Sequence, residues 1–210
     1  VSGGLPEAME LLARADLADR CRGVEVLAAL DGEAAAAALV ALLAEPSWYL
    51  RERVVDALAA RPDAAAPVRR VLREGPWFAR ASACDVIGRR ADVEAVDELL
   101  VQVEDRNVSL QKSALRALRS LAQAHGSMGV ARRVAALPAQ RRRRVLARAG
   151  HQEPRWAAEL ERALAGVPAP EFGGPEQERP ARSAVGGTAA ALVRFRRWLH
   201  ALPGPGEARP

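Results

Sequence analysis

Apolar and polar positions recur through most of this chain in blocks of about 30 residues, the spacing at which helical hairpins stack into a solenoid. Three windows carry the pattern: 45-EPSWYLRERVVDALAA-60, 74-EGPWFARASACDVIGR-89 and 105-DRNVSLQKSALRALRS-120. Trp48 to Trp77, Arg51 to Arg80 and Asp56 to Asp85 are each 29 apart, Leu58 to Ile87 is 29, and Ile87 to Leu118 is 31. Inside a block the spacing is helical. Arg51, Val54, Val55 and Leu58 fall at i, i+3, i+4 and i+7, one face of a helix. Each block therefore reads as two antiparallel helices that can bury their apolar faces only against the neighbouring blocks.

The second block shows the punctuation. A helix over Glu33–Ala44 carries Leu39, Leu42 and Leu43, and Glu45-Pro46-Ser47 breaks it. The next helix, Trp48–Ala60, stops at Arg61-Pro62-Asp63, where Asp63 is the expected N-cap of the helix that follows. The third block repeats this with Val68, Val71 and Leu72, a Gly75-Pro76 break, then Ala83, Cys84 and Ile87. Asp92 caps the fourth, whose first helix carries Val96, Leu99, Leu100 and Val103, and whose longer second helix covers Asn107–Ala124 and ends near Gly126. Leu11 and Leu12 lie 31 before Leu42 and Leu43, so residues 5–30 form a first block. Residues 128–149 read as a degenerate fifth, and Glu153–Ala165 as a closing helix. The expected organisation is a repeat solenoid over 1–165, a Pro/Gly-rich linker over 166–187, an amphipathic helix over 188–203 and a tail over 204–210.

These windows resemble HEAT repeats, in particular the short bacterial kind seen in phycobilisome lyase-related proteins. The residues that carry the likeness are Leu42-Leu43, Glu45-Pro46, Arg51 and Leu58, and again Leu72, Glu74, Arg80 and Ile87. In the fourth block Asp105 is kept but Gln111 stands where the Arg would be. The resemblance implies an all-α fold, an α-α superhelix of about five hairpins, and a structural ladder of Glu45 and Glu74 with Arg51 and Arg80. It specifies architecture far better than activity, because one fold hosts many functions.

Composition changes this picture in one respect. Only 4% of residues are aromatic, and of the 31 basic residues all but Lys112 are Arg, which a GC-rich genome explains. The net charge of +5 conceals a split: residues 1–105 hold 12 Arg against 19 Asp and Glu, residues 106–210 hold 18 Arg and Lys112 against 7. Such asymmetry steers an anionic partner to one half or promotes head-to-tail contacts. Cys21 and Cys84 have no metal-ligand spacing and read as buried thiols of a reducing cytoplasm. With no long apolar run and no basic-then-apolar leader, the expectation is a soluble, cytoplasmic chain. Its opening Val1 fits either a fragment or a GTG start codon.

If the second helices line the concave face, as in the family, one outward position reads Glu25, Asp56, Asp85, Arg116, and the sign of its charge switches in the fourth block. Lys112, Arg116 and Arg119 share that helix, and Arg141, Arg144 and Arg148 extend the basic zone. A solvated charged face is the plain reading of this row. The functional one is a groove for a charged partner, with Asp56, Asp85, Lys112, Arg116, Arg119, Arg144 and Arg148 as contacts. Nucleic acid is the rival partner, yet residues 106–155 contain no aromatic for stacking until the edge of that stretch is passed. Trp48 and Trp77, at one repeat position, are expected to pack between repeats. One HEAT-like family excises damaged bases with an acid and Trp residues in a basic cleft, but the nearest counterparts, Asp56, Asp85, Trp48 and Trp77, lie in the acidic half.

His125, His151 and His200 are scattered without a second ligand nearby, so no metal is expected. No phosphate loop and no nucleophile set is legible, and no cofactor or enzyme activity is expected. In the last helix Leu192, Phe195, Leu199 and Leu202 form an apolar stripe beside Trp198, with Arg194, Arg196 and Arg197 facing outward. That helix could cap the last repeat, bind a partner groove, or rest weakly on an anionic membrane surface. The expected function is a non-enzymatic scaffold that binds a protein partner on its concave helical face, with nucleic-acid binding through the basic half as the alternative.

Overall fold

The computed structural model describes residues 4–167, and every regular element among them is helical. The expected linker beyond residue 167, the amphipathic helix over 188–203 and the tail over 204–210 lie outside the described residues. The chain divides into two compact units, the first running to Val86 and the second starting at Ile87.

The first unit contains α1 (Leu5–Ala13), α2 (Leu17–Ala29), α3 (Glu33–Ala41), α4 (Trp48–Ala60) and α5 (Ala65–Glu74), together with α6 (Trp77–Arg90) as far as Val86. Its core is a set of fully buried aliphatic side chains, Leu27, Leu39, Leu43, Leu50, Leu58 and Leu72 among them. Each such burial stabilises the fold by about 1.5–3 kcal/mol relative to exposure. α1 packs on α2, α2 on both α3 and α4, and α3 on both α4 and α5. The α1–α2 approach is close because Gly23 has no side chain. A Cβ there would lie 2.8 Å from Leu12 Cγ and 3.0 Å from the Ala8 carbonyl oxygen.

Local chemistry sets the boundaries. Asp16 caps α2 by accepting from Asp19 N at 3.1 Å, and Ser47 caps α4 by accepting from Leu50 N at 3.3 Å. The helix expected over Glu33–Ala44 tightens into a 3-10 turn at Leu42–Ala44, which ends it ahead of Pro46 while burying Leu43 and Ala44. Asp63 does not cap the next helix. Its carboxylate is taken by Arg61, Nε to Oδ1 at 3.0 Å and Nη2 to Oδ2 at 2.6 Å, and α5 starts after Ala64 with no side-chain cap. The reason is burial: Arg61 is only 7% exposed, and a buried guanidinium requires an anion more than a helix end requires a cap.

The second unit contains the end of α6, then α7 (Val96–Val103), α8 (Val108–His125), α9 (Ser127–Ala135), α10 (Ala139–Gln152) and α11 (Pro154–Ala165). α7 packs on α8 and α9, α8 on α9 and α10, and α9 and α10 on α11. Leu99, Leu100, Leu110, Leu115 and Leu118 are fully buried here. α6 ends through Ala91, which adopts the left-handed conformation at φ 52°, with Ala91 N donating to Gly88 O and Asp92 N to Ile87 O. Asp92 then caps the 3-10 turn Val93–Ala95 by accepting from Glu94 N at 3.3 Å. Asn107 caps α8, accepting from Leu110 N at 3.1 Å, and Gly126 at φ 85° turns the chain into α9. The degenerate fifth block is a true helix pair, α9 and α10, parted at Pro138.

Candidate functional site

Val108, Lys112 and Arg116 recur every fourth residue along α8 and so share one flank of it, while Leu110, Ala114 and Leu118 are buried. That flank forms one wall of a cleft of about 430 Å³ in the second unit. His151, Gln152 and Glu153, where α10 hands over to α11, form the other wall. Two cross-links hold the walls together. Gln152 Nε2 donates to Gln111 Oε1 at 3.2 Å, and Arg119 Nη1 donates to Glu153 Oε2 at 2.6 Å. The Gln111 amide is oriented by its own Nε2, which donates to the Asp105 carbonyl at 2.6 Å; a carbonyl only accepts, so Oε1 is left for Gln152.

The cleft carries positive charge. The Glu153 carboxylate is matched by Arg119, whereas Lys112 is exposed and has no ion-pair partner among the described residues. Arg116 is exposed as well, its Nη2 donating to Ser113 Oγ at 3.0 Å one turn back along α8. Val108 adds an apolar rim, 56% exposed. Lys112 and Arg116 lie one helical turn apart, about 6 Å along the axis.

Arg144 and Arg148, also expected as partner contacts, are engaged within the unit, as are the neighbouring Arg133, Arg141 and Arg142. Arg144 Nε donates to Glu104 Oε1 at 2.9 Å, and Arg141 Nε donates to Oε2 of the same carboxylate at 2.6 Å. Arg148 donates to the Val103 carbonyl, Arg142 to the Ala135 carbonyl at 3.0 Å, and Arg133 pairs with Asp97 at 3.1 Å. Asp56 on α4 is exposed and Asp85 on α6 is half-buried, both in the first unit.

The residues that the HEAT resemblance places in a ladder sit as follows. Arg51 donates to the backbone carbonyls of Glu45 and Pro46, the latter at 3.0 Å, so it closes the turn that precedes its own helix. The Glu45 carboxylate reaches back to Arg20 on α2 at 2.6 Å. Glu74 pairs with Arg70 one turn earlier on α5 at 3.2 Å, and Arg80 is half-buried on α6. Gln111, which stands where the repeat has Arg, makes the same six-residue reach to a backbone carbonyl that Arg51 makes to Glu45.

The first unit has a shallower groove of about 400 Å³ between α2 and α4, lined in part by Leu17, Cys21, Glu25, Tyr49 and Arg53. Arg22 lines it as well, and Arg53 lies 3.9 Å from Glu25 and donates to Tyr49 Oη at 3.2 Å. The hydrogen bond to Tyr49, then the charges of Tyr49 and Glu25, hold the Arg53 guanidinium above its ordinary pKa. Trp48 is 73% exposed and Trp77 37%, each in edge contact with the aromatic residue after it, so Trp48 does not pack between repeats. Cys21 and Cys84 are both buried.

Among the described residues no group of His, Cys, Asp and Glu could hold a metal ion, and no helix is long and apolar enough to cross a membrane. Compared with known protein families and with curated proteins, the chain matches none. Sequence reasoning picked out Lys112, Arg116 and Arg119 but missed Val108, His151 and Gln152. Val108 could have been found, since it extends the four-residue row by one turn. His151 and Gln152 could not, because they reach α8 only through a contact between residues 41 apart in the chain.

Proposed function

We propose that this chain is a non-enzymatic α-solenoid scaffold of HEAT-like hairpins that binds a protein partner on an outward helical face. The observation that carries the reading is the α8 cleft, where Lys112 and Arg116 stand one turn apart on a wall cross-linked by Arg119–Glu153 and Gln111–Gln152. A site held in this way loses little freedom on binding, so even shallow contacts add to affinity. Support for the solenoid comes from neighbour relations: α2 lies on α4 and α3 on α5 in the first unit, and α8 lies on α10 and α7 on α9 in the second. Alternate helices pair, as stacked hairpins require. Cys21 and Cys84 are buried and not joined in a disulfide, which suits a reducing cytoplasm.

Nucleic acid is the weaker reading because part of the charge it would use is matched within the unit and the cleft lining holds no Phe, Tyr or Trp on which a base could stack. Arg119, Arg133, Arg141 and Arg144 are paired with carboxylates. The test is capture from a lysate of the cells the chain comes from, with and without nuclease, followed by mass spectrometry of what is retained. A discrete protein that survives nuclease is the expected result. Retained material that disappears on nuclease treatment would replace the scaffold reading with nucleic-acid binding.

A further inference from the structure

The first and last described helices differ in what they show to solvent. α11 buries Trp156, Ala157 and Leu160 and exposes Arg155, Glu159, Glu161 and Arg162, the polar outer face that a terminal helix needs. α1 has no such face. It buries Ala8 and Leu11 and packs on α2, but its apolar arc continues through Leu5, Met9 and Leu12 at i, i+4 and i+7. Met9 is 51% exposed, Leu5 and Leu12 are half-buried, and Pro6 and Ala13 beside them are exposed. Glu7 and Glu10 border one edge of this arc. Both are exposed, and neither has an ion-pair partner among the described residues.

We propose that this face of α1 is an intramolecular docking site, covered by the chain's own residues 188–202. That segment lies outside the described residues, and its sequence complements the face. Leu192, Phe195, Leu199 and Leu202 recur at helical spacing, and Arg194 and Arg196 fall to either side of that stripe. At helical rise the stripe is about 15 Å long, and α1, with nine residues, is about 14 Å. The apolar stripe lies over Leu5, Met9 and Leu12, and the arginines answer Glu7 and Glu10.

The segment reaches α1 however the two units are arranged. Thr188 follows Val167 by 21 residues, which extended cover about 70 Å. Compact units of about 80 residues are each about 30 Å across. Tethering also raises the local concentration of the segment to about the millimolar range, so a weak contact is still populated. Other occupants fit the charge less well. A second copy packing by the same face would set Glu7 and Glu10 against their own counterparts, and an anionic membrane surface would meet the same two carboxylates. The last helix already has a polar face, so the segment has less apolar surface to cover there. This inference stands apart from the scaffold reading, which has its own test.

The test uses the full chain carrying Met9→Cys/Leu199→Cys, oxidised with diamide as an equal mixture of ¹⁵N-labelled and unlabelled protein. Peptide mapping by mass spectrometry then identifies each disulfide. The expected result is a 9–199 link within single chains, formed at least about tenfold faster than the link in Val101→Cys/Leu199→Cys, whose first site is exposed on α7. It should also outpace Ala158→Cys/Leu199→Cys, which reports docking on α11. Glu7→Arg/Glu10→Arg should slow the 9–199 link, and adding Arg194→Glu/Arg196→Glu should restore it, a recovery that a misfolded variant would not show. Hydrogen exchange provides a second reading: Leu192→Asp/Phe195→Asp should lower protection in α1 and leave α8 unchanged. Equal rates at positions 9, 101 and 158 overturn the proposal, as does a faster link to 158. Links chiefly between labelled and unlabelled chains overturn it in favour of a second copy. Unchanged α1 protection in Leu192→Asp/Phe195→Asp, or no recovery on charge exchange, also overturns it.

Discussion

Replacing Arg61 with methionine should loosen the first unit and leave the second untouched. Arg61 sits at the end of α4, is 7% exposed, and reaches back to the end of α2. There it donates to the carbonyls of Leu27 at 3.4 Å, Leu30, and Gly32 at 3.2 Å, while Asp63 accepts from its other edge. One cation thus satisfies acceptors at the C-terminal pole of a helix that has no basic residue in its own last turn. Methionine keeps much of the stem and its packing but removes every donor. Breaking a buried charged network by deleting one partner costs about 3–5 kcal/mol. Asp63 is a third exposed and stays hydrated, so the low end, about 3 kcal/mol, is the appropriate value. At about 1.4 kcal/mol per tenfold, this is a loss of about a hundredfold in protection. The assay is hydrogen exchange read by mass spectrometry on peptides from α2, α4 and α8, which resolves opening unit by unit. Arg61→Lys should lose about half as much free energy, because an ammonium keeps the charge but cannot span three carbonyls and a carboxylate. Protection in α2 that falls less than about fivefold in Arg61→Met, or α8 protection that falls equally, would refute the reasoning.

Three other substitutions follow from the same geometry. Gly23→Ala places a Cβ 2.8 Å from Leu12 Cγ and 3.0 Å from the Ala8 carbonyl, so overpacking of about 1–3 kcal/mol should outweigh a helix-propensity gain of about 1 kcal/mol, read as a lower urea midpoint. Ala91→Gly should raise stability by about 1 kcal/mol, because Ala91 ends α6 at φ 52°, where a Cβ is penalised; no increase in the urea midpoint would count against that account. Gln111→Ala removes a bond to the Asp105 carbonyl and one from Gln152, and should cost about 1–2 kcal/mol in urea unfolding. Gln111→Arg should recover the first of these bonds, as Arg51 does at its own turn, and unfold nearer the parent than the alanine variant.

Much of the helix inventory was written locally. Ser47, Asp92 and Asn107 are small polar residues placed where a chain enters a helical turn, and each accepts the backbone hydrogen bond that its position calls for. The apolar rows were legible for the same reason. A period of 3.6 residues puts Val54, Val55 and Leu58 on one face of α4 whatever they pack against, and all three are buried. Asp63 is the instructive failure. Its sequence position is that of a cap, but a buried Arg61 competes for the same carboxylate, and burial is a tertiary property that no window of a few residues contains.

Charge shows the division most clearly. The sequence by itself determined the all-helical class among the described residues, the turns, and the excess of Arg in the second half, because each depends on residue type and short-range spacing. Which of those arginines meet a carboxylate from a distant part of the chain was decided by tertiary structure alone. Glu104 lies 37 and 40 residues from Arg141 and Arg144, and Glu153 lies 34 from Arg119; packing brings them together and cancels charges that the sequence counts as free. The same packing sets His151 and Gln152 against the flank of α8 that carries Lys112 and Arg116. Local spacing fixes which face of a helix a side chain occupies, and only the folded chain fixes what that face meets.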